Sequence, residues 1–199
     1  MINRREFLEV AAVSALPAIA GARQRVDDRL RRVSRPALPT VLIDDRYAQA
    51  RTVGARLAAA GAAVRAIPAG DVTQVWLEQI GPAWRHQPLP VAGLTARPAL
   101  FCLEQFALGY GLRVVFHGEH VVHGQGRTEH RLLRGAEAAG VSALDLDLAG
   151  PLWPALIAAA IASHAGKAGG ERFGPSDAAL SPAVPAGAQL LTSWIIAAA

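Results

Sequence analysis

Short apolar runs alternate with longer segments of helical spacing along residues 40–116. Four of these runs are rich in aliphatic or β-branched residues and predict strands over 40–43, 63–67, 89–94 and 112–116. The segments between them repeat apolar residues every three or four positions and predict helices over 47–60, 71–80 and 95–109. Successive strand–helix units favour parallel pairing. The pattern therefore predicts an α/β fold with three layers and a mostly parallel sheet.

Individual residues mark the ends of the predicted helices. Asp71 and Thr95 precede helical segments and are expected to act as N-caps. Gly81-Pro82 is expected to break the second helix and to leave Trp84 in a separate turn. The predicted boundaries therefore depend on capping chemistry and on proline geometry.

The pattern changes after Phe116. Gly124-Gln125 is typical of a hairpin turn, which would place residues 112–122 against 127–133. In that register, positions whose numbers sum to 249 lie opposite each other. A β-hairpin is therefore expected after the fourth strand.

A long uncharged stretch follows the hairpin, from about residue 148 to 166. Pro151 and Pro154 limit its helix to about 152–164, which is too short to span a membrane, so a core helix is expected. Residues 169–187 are expected to form a loop, and 189–196 a buried closing strand.

Composition and charge limit the function classes. The chain has 199 residues, 52% of them hydrophobic and 18% charged, which suits one packed domain. Its single cysteine, Cys102, excludes an intrachain disulfide and a cysteine-cluster metal site, and an apolar helical setting favours an inert core thiol.

The excess positive charge is confined to one segment. Residues 23–40 carry six arginines against two aspartates, whereas residues 41–199 hold twelve basic and twelve acidic groups. A nucleic-acid-binding domain would carry its basic face on the folded body, so no nucleic-acid partner is expected. Segment 23–40 is predicted to be a Pro-containing tether that is solvated or that contacts anionic lipid or an acidic partner.

The first residues carry a paired arginine and two apolar residues, Arg4, Arg5, Phe7 and Leu8. This arrangement resembles the twin-arginine (Tat) signal peptide of bacteria, although Asn3 and Glu9 depart from that motif. The resemblance covers residues 1–22 only. It implies recognition by the Tat translocase and delivery to the periplasm as an already folded domain.

The rest of the leader agrees with an export signal. A moderately apolar stretch over residues 10–20 precedes Ala20-Gly21-Ala22, which offers a small-x-small cleavage site. The stretch is too short for a transmembrane helix of roughly 20 residues. An uncleaved leader would leave the protein attached to the inner membrane; cleavage would leave a single α/β domain over 41–199 behind the tether.

Asp44 and Asp45 directly follow the first predicted strand and resemble the acidic pair of response-regulator receiver domains. The helix and second strand that follow extend the likeness, which implies a flavodoxin-like or Rossmann-like topology. The third strand has no aspartate to accept a phosphoryl group, and the only lysine, Lys167, does not end a strand. The resemblance therefore implies the topology without phosphorylation, and both aspartates can equally serve as helix caps.

Open α/β sheets bind ligands beyond the carboxyl ends of their strands. A polar set is predicted at that edge, where a helix N-terminus would suit an anionic group. Its members are Asp44, Asp45, Asp71, Thr95 and Arg97, with His117 as a further candidate.

A histidine-rich group in the hairpin could hold Zn²⁺ or Cu²⁺ through nitrogen and oxygen ligands. Its members are His117, Glu119, His120, His123, Glu129 and His130. Side chains alternate along a strand, so His117 and His120 face opposite ways unless Gly118 introduces a bulge. The predicted register instead pairs Glu119 with His130, and His120 with Glu129, which requires no metal.

The common nucleotide-binding, phosphate-binding, zinc-protease and serine-hydrolase motifs are absent from the sequence. The sequence therefore favours a periplasmic accessory or binding protein without catalytic activity, exported with or docking onto a larger partner such as a redox subunit. The alternative is a small periplasmic enzyme that uses the strand-end edge or the hairpin histidines, with or without a metal.

Overall fold

A computed structural model describes residues 40–165 and 184–198. The Tat-like leader, nearly all of the tether and most of the predicted loop 169–187 lie outside the described residues.

Strands and helices alternate along the described residues as the apolar pattern predicts. The strands are β1 (Thr40–Ile43), β2 (Val64–Ala66), β3 (Val91–Ala96), β4 (Leu112–Val122), β5 (Thr128–Arg134) and β6 (Gln189–Ala198). The helices are α1 (Ala48–Ala59), α2 (Thr73–Val75, Trp76–Ile80 and Gly81–His86 in succession), α3 (Arg97–Leu108), α4 (Ala136–Ala139), α5 (Ala143–Ala149) and α6 (Trp153–Ala165). Short 3₁₀ turns lie at Pro68–Gly70, Gly124–Gly126 and Gly150–Leu152.

The six strands form one mixed sheet in the order β2-β1-β3-β6-β4-β5. The pairs β2–β1 and β1–β3 are parallel, whereas β3–β6, β6–β4 and β4–β5 are antiparallel. The α/β class is confirmed, but the prediction of a mostly parallel sheet is wrong. Two of the three antiparallel pairs involve β6, which inserts between β3 and β4 instead of lying at an edge of the sheet.

Helices cover both faces of the sheet, which gives the three predicted layers. On one face α1, α6 and the short α4 and α5 pack over a core that includes Val41, Phe116 and Ile157. On the other face α2 and α3 pack over a core that includes Leu103 and Trp194. Because both faces are covered, the central strands are buried on both sides.

The hairpin β4–β5 is present, but its predicted register is wrong by one residue. Val122 lies opposite Thr128 and His120 opposite His130, so the numbers of paired residues sum to 250. The connection is a 3₁₀ turn over Gly124–Gly126, closed by the amide of His123, which donates to the carbonyl of Arg127. This longer turn replaces the predicted two-residue turn and moves every pair.

Two predicted helix boundaries are also wrong. Helix α2 continues through Gly81-Pro82, because residues 76–80 widen into a π-helical turn just before the proline, which has no N–H to donate. Thr95 does not cap α3: it lies inside β3, and Ala96 occupies the N-cap position.

The uncharged stretch after the hairpin lies in the core, as predicted. Residues 143–164 form the one helical stretch, within the described part of the chain, that is long and apolar enough to cross a membrane. Most of its apolar part is buried inside the domain, and α6 packs against α1.

We expect Gly93→Ala to destabilise the sheet at its centre. A Cβ atom at position 93 would lie 2.5 Å from the Leu42 carbonyl oxygen and 2.6 Å from Trp194 Cζ2. Overpacking of this kind lowers the free energy of unfolding by about 1–3 kcal/mol, measurable by urea denaturation. Gly109→Ala is the control, because a Cβ there meets its nearest atom at 3.6 Å. Equal urea midpoints for the two variants would contradict this packing.

Candidate functional site

The carboxyl ends of β1 and β3 meet at one edge of the sheet, as the sequence predicts. Asp44 is fully buried there, and both of its carboxylate oxygens accept hydrogen bonds from Arg46, from Nε at 2.8 Å and Nη2 at 2.7 Å. Asp45 is exposed, and its backbone carbonyl accepts a hydrogen bond from Arg51. The two aspartates therefore occupy different environments and do not form an acidic pair.

Asp71 lies apart from this pair of strand ends, after the turn that follows β2. Its carboxylate accepts a hydrogen bond of 2.8 Å from the Thr73 amide at the start of α2. Hydrogen bonds from Thr73 lower the pKa of Asp71 below its ordinary value. Val72, not Asp71, occupies the N-cap position of α2, so the predicted N-cap is wrong by one residue, and Asp71 binds the first helical amide from just before the cap.

The side chains of Thr95 and Arg97 form hydrogen bonds with residues of the strands beyond β3. The buried Thr95 hydroxyl accepts a hydrogen bond of 3.0 Å from Trp194 Nε1 on β6. Arg97 reaches past β6 to β4, where its Nη1 donates to Glu119 Oε1 at 2.8 Å. The side chains of Asp44 and Glu119 are 0% and 1% exposed, so each buried carboxylate at this edge is neutralised by a half-exposed arginine.

A bulge in β4 sets the face of the sheet to which each histidine-rich hairpin residue points, and a second bulge lies in β5 beyond this group. In β4, Val115 is an extra residue relative to β6; in β5, Leu133 is an extra residue relative to β4. Glu119 consequently faces α3, where it meets Arg97, whereas His120 faces α6. Gly118 is not itself the extra residue.

The predicted cross-strand Glu–His pairs do not form. His120 lies opposite His130, and Glu129 instead contacts His123 Nε2 at 3.1 Å, near the hairpin end. His117 is half-buried, and burial is the main cause that lowers its pKa. Within residues 40–165 and 184–198, no three His, Cys, Asp or Glu side chains are grouped so as to hold a metal ion. The geometry thus gives no support to Zn²⁺ or Cu²⁺ at the hairpin.

The structure instead assembles a hydrogen-bonded chain of three side chains, Ser193, His120 and His130. The Ser193 hydroxyl lies 2.8 Å from His120 Nε2, and His120 Nδ1 lies 2.8 Å from His130 Nδ1. Ser193 and His120 are fully buried, whereas His130 is partly exposed. The chain therefore runs from the centre of the sheet to the surface.

Packing keeps both imidazoles neutral. The ring of Trp153, at the start of α6, stacks on His120 at 4.5 Å and meets His130 edge-on at 5.0 Å. Burial places the pKa of His120 well below 6.5, and burial lowers the pKa of His130 to about 4 despite the opposing charge of Asp147. At neutral pH the chain can carry hydrogen bonds without carrying charge.

A surface cavity of about 220 Å³ lies where this chain reaches the surface. One wall comes from the hairpin and the other from α5 with the residue that follows it. Its walls include Arg127, Thr128, His130, Leu146, Asp147 and Gly150. We call this space the hairpin cavity.

Sequence reasoning found the histidines but missed Ser193, Trp153 and Asp147. Ser193 lies in a strand that the sequence predicts to be buried, and a hydroxyl at such a position requires a partner; that was the available signal. Gly118 makes the contact sterically feasible, because a Cβ there would lie 2.7 Å from the Ser193 hydroxyl oxygen. Trp153 and Asp147 meet the histidines through contacts between residues distant in the sequence, and such contacts leave no local sequence pattern.

Stability should fall between pH 6.5 and pH 4. The pKa of each histidine is lower in the folded state than in the unfolded chain, so over this range the unfolded chain binds more protons. The free energy of unfolding should drop by up to about 1.4 kcal/mol per pH unit for each such ring. Urea denaturation at a series of pH values measures this slope.

His130→Asn should reduce the dependence of the free energy of unfolding on pH by the contribution of one imidazole ring. Leu144→Ala, at an exposed position of α5, is the control and should keep the wild-type slope. An unchanged slope in His130→Asn would show that folding does not lower the pKa of His130.

No protein-family model matches the chain, and searches of curated proteins and of solved structures find no match. The chemistry of the site has to be inferred from this chain's own residues.

Proposed function

We propose that the protein is an accessory or binding protein of the periplasm, exported by the Tat translocase and acting with a larger partner such as a redox subunit. The observation that carries the proposal is the order of parts in the leader. Arg4, Arg5, Phe7 and Leu8 precede a short apolar stretch and a small-x-small site within residues 1–22. The basic tether then separates this leader from the domain.

The described domain suits a route that carries folded cargo. Its sheet is covered on both faces by helices, and two packed cores fill the space between the layers. Export would therefore follow folding, and contact with the membrane would be confined to the leader or the tether.

Four polar groups that could take part in catalysis are buried or bonded to other residues, and this supports an accessory role. Asp44 and Glu119 are held by arginines, Thr95 is bonded to Trp194, and Ser193 is fully buried. A nucleophile or general base must reach the reacting atom. These four side chains instead stabilise the sheet and its edge.

One observation favours the alternative of a small periplasmic enzyme. The chain Ser193–His120–His130 ends at the hairpin cavity, so His130 could exchange a proton with a bound molecule there. A metal-dependent form of this alternative predicts stoichiometric Zn or Cu, lost in His130→Asn, in protein purified without a His-tag. Elemental analysis that finds no bound metal removes that form.

Export should require both arginines of the leader. Arg4→Lys/Arg5→Lys should abolish recovery of the protein from the periplasmic fraction of a bacterial host, because the Tat-like motif depends on the arginine pair. Arg23→Lys/Arg25→Lys makes the same chemical change in the tether and should leave export intact. Equal periplasmic recovery of the two variants, measured by immunoblot, would refute the Tat route.

The accessory role predicts a stable complex in the native host. Protein extracted from the periplasm should elute from a sizing column with a second, larger polypeptide, at a mass above that of the chain alone by light scattering. A monomer with no associated protein would count against the accessory role without affecting the export route.

A further inference from the structure

Strand β5 lies at one end of the sheet. Among the described residues it pairs with β4 on one side, and no strand pairs with its other side. An edge strand presents unpaired backbone N–H and C=O groups, which can bond to a strand of another chain. We call the unpaired side the outer edge of β5.

The hairpin geometry determines which backbone groups reach this outer edge. The His123 amide donates to the Arg127 carbonyl at 2.9 Å, so these two residues form a hydrogen-bonded pair. Along an antiparallel ladder such pairs alternate with pairs that are not hydrogen-bonded. Every second residue of β5, beginning with Glu129, therefore bonds to β4, and the residues between direct their N–H and C=O groups outward. The outward residues are Thr128, His130 and Leu132.

Opposite charges lie on the two positions between these outward residues. The Glu129 side chain is 58% exposed, and Arg131 is exposed as well. The two side chains point to the same face of the sheet, because they are two residues apart on one strand. A strand with this pattern is complementary in charge to a second copy of itself that runs antiparallel to it.

Charge favours one register for such a pair. With His130 opposite His130 of a second copy, Glu129 lies opposite Arg131 twice, in the pairs whose side chains are closest. The outward residues then lie opposite one another and exchange two backbone hydrogen bonds in each pair. Moving the second copy by two residues in either direction would place Glu129 opposite Glu129, or Arg131 opposite Arg131.

The neutral state of His130 permits this register. Burial lowers the pKa of His130 to about 4, although the charge of Asp147 on α5 opposes that shift. Two uncharged rings can therefore lie opposite each other at neutral pH without the repulsion of like charges.

Helix α5 provides apolar surface beside the same edge. It packs against β5, and its Leu146 and Ala149 side chains are buried in the domain. Leu148 points away from that core and is 54% exposed, and Leu152 in the turn that follows is 49% exposed. Two copies joined at the outer edge of β5 would carry both α5 helices on one face of the combined sheet. These leucines therefore offer apolar area for burial next to the paired strands.

We propose that two copies of the chain form a dimer through the outer edge of β5, paired antiparallel with His130 at the two-fold axis. This dimer goes beyond the proposed function, because neither export nor a larger partner is needed to form it. It contains this chain alone, so gel electrophoresis distinguishes it from a complex with a larger polypeptide.

Light scattering and hydrogen exchange of the purified full chain test the proposal. The mass should be that of a dimer, and the amides of Thr128, His130 and Leu132 should exchange slowly because they are bonded across the interface. A monomer throughout the concentration range would overturn the proposal and would leave the outer edge to a strand of another protein. A dimer in which these three amides exchange freely would overturn it too.

Charge reversal tests the register. Glu129→Arg and Arg131→Glu each place two pairs of like charges at the interface and should weaken dimerisation at least about tenfold. An equimolar mixture of the two variants should form a dimer again, because every arginine then lies opposite a glutamate of the other chain. Glu78→Arg and Arg85→Glu make the same changes at exposed positions of α2 and should leave dimerisation unchanged. A mixture that stays monomeric would overturn the proposal.

Discussion

The insertion of β6 between β3 and β4 is the constraint on which the rest of the structure depends. Residues 191–196 of this strand are buried on both faces, so its polar side chains need partners within the sheet. Thr192 donates to the Thr95 carbonyl, Trp194 donates to the Thr95 hydroxyl, and Ser193 bonds to His120. The strand therefore connects both halves of the sheet by side-chain contacts as well as by its backbone ladder. It also runs antiparallel to both neighbours, which makes β3 and β4 point the same way and lets Arg97 reach Glu119.

The bulge at Val115 decides which chemistry faces which layer. Side chains alternate along a strand, and one extra residue reverses the faces of all that follow. With the bulge, His120 points to Trp153 and Ser193, and Glu119 points to Arg97. Without it, the imidazole would lie over α3 and the carboxylate over the apolar face of α6. One inserted residue thus separates an ionic edge on one face from a neutral hydrogen-bonded chain on the other.

Much of the fold could be predicted from local sequence, because local forces determine it. The run at 40–43 and the helix after it were located from apolar spacing, and the hairpin from its glycine-containing turn. Strand order depends on which distant strands pair, and periodicity carries no information on that. The apolar run of β6 indicated burial, but not insertion at the centre of the sheet. The hairpin register was missed by one residue because Gly124–Gly126 forms a 3₁₀ turn, and that single step exchanges the Glu–His pairs for a His–His pair.

The same limit explains the candidate site. The structure places Asp44 and Arg97 at the adjacent ends of β1 and β3, because parallel strands bring their carboxyl ends together, whereas Asp71 lies apart. The sequence could not show that Arg46 would neutralise Asp44, or that Arg97 would neutralise Glu119, since these contacts depend on side-chain geometry. Ser193 and Asp147 join the histidines only through tertiary contacts, from positions more than fifteen residues away along the chain.

The strand-end edge and the hairpin cavity therefore differ in the polar groups that a ligand could bind. At the strand-end edge, a ligand that recruited Arg46 would take from the buried Asp44 carboxylate the guanidinium that binds both of its oxygens, which is strongly unfavourable. The hairpin cavity has no such penalty, because the buried groups behind it, Ser193 and His120, are neutral and already bonded to each other. Arg127 and Asp147, the charged residues among its walls, are exposed, so water screens their charges. Binding chemistry is thus more accessible at the hairpin than at the edge favoured by fold-level analogy.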